Sequence, residues 1–106
     1  MKTYKTDSTF FLLPETDLVA SQMEEIRDYF MKELRENENL DIVTLDATGI
    51  EIVDSLGVNL IIGLYRHVST ESKKFNVINA GDKFMKVANF FRFSTLFDIQ
   101  KAPSGE

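Results

Sequence analysis

The stretch at residues 50–63, IEIVDSLGVNLIIG, decides how this chain is interpreted. An apolar, strand-like run ends at Asp54 and Ser55, and an apolar, helix-like run follows at once. Ser55 is therefore predicted to cap the N-terminus of a helix. The same position suits an anion, because unpaired backbone N–H groups and the helix dipole both favour negative charge there. Our hypothesis from these residues is that Ser55 is a phosphorylation switch on a small binding module.

The size and composition of the chain indicate one small globular domain. Its 106 residues are close to the commonest domain size, and 43% of them are hydrophobic, enough for a core. We therefore expect a single domain over residues 1–106, with a flexible tail at about 101–106. The formal charge of -5 argues against direct binding of nucleic acid. The absence of cysteine excludes disulfides and thiolate metal sites.

The chain shows no apolar leader and no membrane-spanning pattern. Its longest unbroken apolar run, residues 60–65, is far shorter than the ~20 residues that a membrane helix needs. These features predict a cytoplasmic protein without membrane insertion.

Strands alternate with helices, which predicts an α/β fold with a mostly parallel sheet and helices packed on it. Right-handed crossovers would bring the loops that follow the strands to one edge of the sheet, where α/β proteins usually place their function. In chain order the predicted elements are strand 8–13, helix 18–36, strand 41–46, a brief strand-like run at 50–53, a helix capped by Ser55, strand 75–79, a helix capped by Asp82, and an apolar cluster at 93–99.

A catalytic role for Ser55 has little support in the sequence. His67, the one histidine, lies twelve residues down the same predicted helix, roughly 18 Å away at ~1.5 Å per residue, so it is out of reach as a base. The carboxylates Asp41, Asp46 and Asp54 do not have the spacing of metal ligands. Phosphate-binding glycine motifs are also missing. We therefore expect no enzyme activity, no catalytic residue, no metal and no cofactor.

Gly57 has two interpretations that the sequence leaves open. A glycine inside a helix costs roughly 1 kcal/mol relative to alanine, so it needs a reason. Either a partner approaches the bare backbone closely, or the helix packs tightly within its own fold. Ser55 could likewise be a plain helix cap and nothing more.

The motif Asp54-Ser55-Leu56-Gly57 resembles the D-S-[SA]-G signature of STAS domains, in particular those of bacterial anti-sigma factor antagonists. The element order, the length, the turn at residues 79–81 and the ending at residues 96–99 are also similar to that family. The resemblance implies an STAS-like fold: one mixed, mostly parallel sheet of four to five strands, packed by about three to four helices.

The resemblance also implies a partner-switching mechanism. An anti-sigma factor that is a histidine-kinase-like serine kinase would bind the unphosphorylated domain and release its sigma factor. Phosphorylation of Ser55 would break that complex, and a metal-dependent serine phosphatase would reset it. Asp17 matches an acidic residue beside the family's phosphosite. The expected partner-binding residues are Asp17, Asp54, Ser55, Leu56, Gly57, Val58 and Asn59.

Several alternatives remain open in the sequence. The domain could be a scaffold or regulatory subunit of another assembly, stressosome-like or for lipid transport, with Ser55 still at the interface. An enzyme or phosphocarrier that uses Ser55 or Asp54 is the rival from another class. Ser69, Thr70 and Ser72 are the other candidate phosphorylation sites. The Phe-rich end is interpreted mainly as core, and we expect a monomer or weak dimer.

Overall fold

The computed structural model describes residues 1–103, which form five strands and three α-helices. The sheet order is β1-β2-β3-β4-β5, with β1 antiparallel to β2 and all other neighbours parallel. This confirms the predicted mixed, mostly parallel sheet. The elements are β1 (Lys2–Lys5), β2 (Thr9–Leu13), α1 (Ala20–Arg35), β3 (Ile42–Asp46), α2 (Ser55–Thr70), β4 (Lys74–Ala80), α3 (Asp82–Phe90), a 3-10 turn (Phe93–Thr95) and β5 (Asp98–Lys101).

The core lies on one face of the sheet. Strand residues alternate between two faces, and the register aligns buried side chains of β2, β3 and β4 in rows across the sheet. Each parallel strand is added on the same side of the one before, so right-handed crossovers place the intervening helices over this one face. The aligned core residues are Phe10, Val43 and Phe75 in one row, and Leu12, Leu45 and Val77 in the next.

Helices α1 and α2 cover this face with apolar stripes at helical spacing. Both run from the carboxyl edge of the sheet back to its amino edge, so they are parallel to each other and begin at the same edge. The buried residues of α1 are Met23, Ile26, Phe30 and Leu34, and those of α2 include Val58, Ile61, Leu64 and Val68.

The strand predicted at residues 50–53 does not form. Val53 makes one isolated parallel bridge to Leu18, while Ile52 is 55% exposed. The physical reason is that the carboxylate of Asp17 accepts hydrogen bonds from the backbone N–H groups of Glu51 and Ile52. Those donors are no longer free for a sheet ladder, and the run is a connection rather than a strand.

Both predicted helix caps were placed one residue too late. Asp54 is the N-cap of α2 and Gly81 is the N-cap of α3, so Ser55 and Asp82 are the first residues of their helices. At α2 the reason is that the side chain of Asp54 makes the capping hydrogen bond, since its Oδ1 accepts from Gly57 N–H at 2.9 Å.

The chain end also differs in part from the prediction. Lys101, which was assigned to the terminal tail, is the last residue of β5. Residues 104–106 of that predicted tail lie outside the described residues. Within residues 1–103, no helix combines the length and apolar character required to cross a membrane.

Candidate phosphorylation and partner-binding site

The candidate site lies where the connection β2–α1 meets the connection β3–α2, at the carboxyl edge of the parallel strands. Leu18 N–H donates to Ile52 O at 2.9 Å, and Asp54 N–H donates to Leu18 O at 3.1 Å. These two bonds flank the bridge between Leu18 and Val53. Together they join the two connections directly in front of Ser55.

Two carboxylates strengthen this junction in a reciprocal way. Asp17, on the first connection, accepts from Glu51 and Ile52 N–H on the second, each at 3.0 Å. Asp54, on the second connection, accepts from Ala20 N–H at the start of α1 at 2.8 Å. Asp54 also caps its own helix through Gly57. We call Asp17 and Asp54 the aspartate clamp, since each holds backbone of the neighbouring connection.

The clamp carboxyls are ionised at neutral pH. The pKa of Asp17 is held below its ordinary value by the N–H groups of Ile52 and, next, Glu51. The pKa of Asp54 is lowered first by Gly57 N–H and then by Ala20 N–H. A carboxylate that accepts several backbone hydrogen bonds is favoured in its charged form. The surroundings of Ser55 therefore carry fixed negative charge that is already hydrogen-bonded within the protein.

Ser55 itself is exposed on the first turn of α2. Because Asp54 makes the cap hydrogen bond, the serine side chain is not needed to close the helix end. Leu56 follows at 47% exposure, and Asn59, one turn further on, is exposed as well. The structure thus brings Ser55, Leu56 and Asn59 together on one accessible surface beside the clamp.

Two predicted partner-binding residues are placed in the interior instead. Val58 is 4% exposed and belongs to the core, where it faces the sheet with the other buried residues of α2. Gly57 is buried too, and a Cβ there would lie 2.8 Å from Leu18 Cβ and 2.9 Å from Val53 Cγ1. Of its two interpretations, tight packing within the fold is the one that these contacts support. Both residues hold the first turn of α2, and with it Ser55, against the rest of the protein.

Sequence reasoning missed a polar cluster centred on Asp46. This residue ends β3 and is 6% exposed. Its Oδ1 accepts from Thr48 Oγ1 at 2.7 Å and from Asn79 Nδ2 at 3.0 Å, and its Oδ2 accepts from Tyr4 O–H at 3.0 Å. The available signal was an aspartate at the carboxyl end of a mostly apolar strand.

Burial and hydrogen bonding act on the Asp46 cluster in opposite senses. Burial raises the pKa of Asp46, but the hydrogen bonds from Thr48, Asn79 and Tyr4 outweigh it and hold that pKa below its ordinary value. The pKa of Tyr4 is raised by burial and by its bond to the Asp46 carboxylate. The cluster ties β1, β3 and β4 together beside an open cavity of about 510 Å³ that includes Thr48, Asn79 and Lys83.

No group of three or more His, Cys, Asp or Glu side chains within residues 1–103 could hold a metal ion. His67 lies near the far end of α2 from Ser55, with its Nε2 3.8 Å from Glu71. His67 is therefore not placed where it could act as a base for Ser55.

The Phe-rich end divides between core and surface. Phe93 and Phe97 are buried, as predicted from the interpretation of this end as mainly core. Phe90 and Phe91 are 79% and 45% exposed and pack edge to face at 5.0 Å. This aromatic pair lies at the C-terminal end of α3, away from the start of α2.

Comparison with known proteins places this geometry in a family. A solved structure from Thermotoga maritima, of a protein proposed to be an anti-sigma factor antagonist, is similar with a TM-score of 0.84 and 17% identity, over 94% of this chain and 85% of that one. An NMR structure of the same protein gives a TM-score of 0.78 and 16% identity over 94% and 79%. The anti-sigma factor antagonist SpoIIAA in its unphosphorylated form gives 0.68 and 15% over 97% and 88%. Comparison with curated protein sequences found no significant match. A sequence model of the STAS domain matches residues 1–103, and the chain therefore belongs to the STAS domain family.

Proposed function

We propose that this protein is an anti-sigma factor antagonist regulated by phosphorylation of Ser55. The observation that carries the proposal is an exposed serine on the first turn of α2, held by an aspartate clamp that leaves its side chain free of the capping role. Membership of the STAS family and the likeness in fold to anti-sigma factor antagonists support it. The unphosphorylated form would bind an anti-sigma factor that is a histidine-kinase-like serine kinase and so free a sigma factor.

Phosphorylation would act on the partner rather than on the fold. A phosphate adds about -1.5 to -2 charges and bulk at Ser55. The N-terminus of a helix tolerates that charge, so α2 is expected to remain folded. The clamp carboxylates are already ionised nearby, and the added phosphate increases the negative potential that a docked partner meets. Release of the partner follows from charge and bulk together.

The remaining parts of the proposal concern how the switch is reset and where it operates. A metal-dependent serine phosphatase would remove the phosphate. The domain itself would contribute no catalytic residue, no cofactor and no nucleic-acid contact, and it would act in the cytoplasm as a monomer or weak dimer. The accessible partner-binding residues are proposed to be Asp17, Asp54, Ser55, Leu56 and Asn59.

The test is binding to the serine kinase of this type encoded in the same genome, with ADP present so that no phosphoryl group is transferred. We expect the native protein and Ser55→Ala to bind alike and Ser55→Asp to bind at least about tenfold more weakly, since interfacial charge repulsion costs several kcal/mol. Ser94→Asp is the matched control, because Ser94 is exposed in the turn Phe93–Thr95. Equal binding of all four proteins would refute a switch at Ser55.

One observation favours a second candidate function, that of an STAS scaffold or regulatory subunit in another assembly. Phe90 and Phe91 form an exposed aromatic pair away from Ser55. Exposed apolar surface of this kind marks interaction sites. Measurement of molecular mass in solution, native against Phe90→Ser, tests it: a concentration-dependent oligomer that the variant loses would favour the scaffold.

A further inference from the structure

A groove runs along the solvent side of helices α1 and α2. Its volume is about 480 Å³, and its lining is mainly apolar. One wall is a stripe on α1 and the other a stripe on α2 that starts at Leu56, the residue next to Ser55. Its lining includes Met23, Arg27 and Met31 on α1, and Leu56, Gly63 and His67 on α2.

The dimensions of the groove fit a short helix. The lining residues of α2 extend from Leu56 to His67, which is about 16 Å at ~1.5 Å per residue. Those of α1 recur every four residues, which keeps them on one side of that helix. Two parallel helices with a trough of this length between them accept a third helix of about three turns.

The surface of the groove at Gly63 is open. A Cβ on Gly63 would meet no atom of the described residues within 4 Å, apart from its chain neighbours and the adjacent backbone of its own helix, and the residue is exposed in the middle of α2. The packing of the protein therefore does not require a glycine there, although glycine weakens a helix interior. Close approach by another backbone is the remaining structural use of a residue without a side chain.

The charge of the groove is opposite to that of the whole protein. The chain carries a formal charge of -5, yet among residues 1–103 the groove lining includes Arg27 and His67 and no carboxylate. Asp28 lies 3.8 Å from Arg27 Nε and Glu71 lies 3.8 Å from His67 Nε2, both outside the lining. Exposed pairs at such distances contribute little, so the Arg27 guanidinium is available to a partner.

We propose that the α1–α2 groove docks an amphipathic, three-turn helix of the partner kinase, with its apolar side on Leu56 and Gly63 and a carboxylate directed to Arg27. This inference rests on the proposed function. It names the segment of the partner whose binding would depend on phosphorylation of Ser55. Leu56 belongs both to the groove and to the surface around Ser55, so the helix end lies beside the phosphosite. Arg27 is seven residues into α1, about 10 Å from the end held by Asp54. An acidic helix in this place is within about one Debye length of a phosphate on Ser55 and is repelled by it.

The test compares two groove variants with two matched controls in binding to that kinase with ADP. Gly63→Gln fills the groove, and Ser69→Gln adds a glutamine at an exposed position of the same helix outside the lining. Arg27→Glu reverses the charge, and Arg66→Glu makes the same reversal at an exposed residue outside it. We expect Kd to rise about tenfold or more for both groove variants and less than about twofold for both controls. Circular dichroism verifies that all four variants are folded.

The outcomes separate this inference from the proposed function. If Ser55→Asp abolishes binding while Gly63→Gln and Arg27→Glu bind like the native protein, the groove is not the docking site and the switch still stands. If the native protein does not bind the kinase, the proposed function and the groove inference are both refuted. If the native protein self-associates and both groove variants lose this self-association, the groove binds a second copy of the chain. The proposal that a kinase helix occupies the groove would then be overturned.

Hydrogen exchange of the native complex provides a second measurement that needs no variant. We expect protection of residues 23–31 and 56–67 in this protein, and of one acidic helical segment in the kinase. Protection confined to the ends of α1 and α2 near Ser55 would overturn the groove inference.

Discussion

Helix α2 carries two glycines whose surroundings are opposite. A Cβ on Gly57 would overlap the carbonyl oxygen and side chain of Leu18 and would press on Val53. A Cβ on Gly63, less than two turns further on, would meet no atom of residues 1–103 within 4 Å beyond its chain neighbours and the adjacent backbone of α2. The first glycine is required by the packing of the protein itself, and the second is not.

The start of α2 is fixed by the protein's own packing, and the middle of the helix is open to solvent. At its start, the helix is pressed onto the connection β2–α1 and held there by Asp54, so the backbone of Ser55 has a defined position. In its middle, the outer side of the helix is bare and borders the groove with α1. Ser55, the proposed switch residue, thus lies where the fixed start of α2 meets its exposed surface.

The largest expected effect comes from breaking the fixed end with Gly57→Ala. The added methyl cannot be accommodated without moving the backbone at Leu18, and overpacking of this kind costs about 2–3 kcal/mol. For a domain of this size that corresponds to a Tm lower by roughly 10–20 °C. Thermal and urea unfolding measure it. A loss below about 0.5 kcal/mol, the range of neutral surface changes, would show that the junction is loose.

The aspartate clamp offers a smaller, pH-dependent way to break the same end. In Asp54→Asn an amide nitrogen replaces one oxygen, so it cannot accept from both Gly57 and Ala20 N–H. We expect a lower Tm at neutral pH. The folded-state pKa of Asp54 is lowered, so its stabilisation is complete above the unfolded value of about 3.9 and is lost as the pH falls through the folded value.

The measurement is Tm against pH for the native protein, Asp54→Asn and the control Asp41→Asn, an exposed aspartate before β3. The difference in Tm between the native protein and Asp54→Asn is expected to become smaller in acid. The Tm of the control is expected to follow that of the native protein throughout. A gap that stays constant below about pH 3 would show that the carboxylate charge is not what stabilises the junction.

The fold could be predicted because its determinants are local. β2 and β3 are short, mostly apolar runs, and apolar residues recur at helical spacing in α1 and α2. These patterns indicate element type before any tertiary contact is known. Right-handed crossovers then leave few arrangements for the sheet. The family signature around Asp54 added the identity of the fold, which the family match and the solved structures confirm.

The local chemistry of the site could not be predicted in the same way, because it depends on residues distant in sequence. The strand expected at 50–53 is lost since Asp17 takes its amides, and Gly57 is buried because Leu18 lies against it. The bonds from Tyr4 and Asn79 to Asp46 also join separate strands. Periodicity carries no information on which distant backbone group a given aspartate will accept from.

A substitution at Gly63, in the open middle of α2, is expected to change the stability least. Gly63→Ala places a methyl group in open space, and alanine restricts the unfolded chain more than glycine does, so we expect a gain of about 0.5–1 kcal/mol. Tm is then higher by roughly 2–8 °C, opposite in sign to Gly57→Ala, although the substitution and the helix are the same. Thermal unfolding at two protein concentrations measures both the change in Tm and its dependence on concentration. A loss of stability in Gly63→Ala that disappears on dilution would show that a second copy of the chain packs against Gly63 in the native sample. The open middle of α2 would then be an interface between copies.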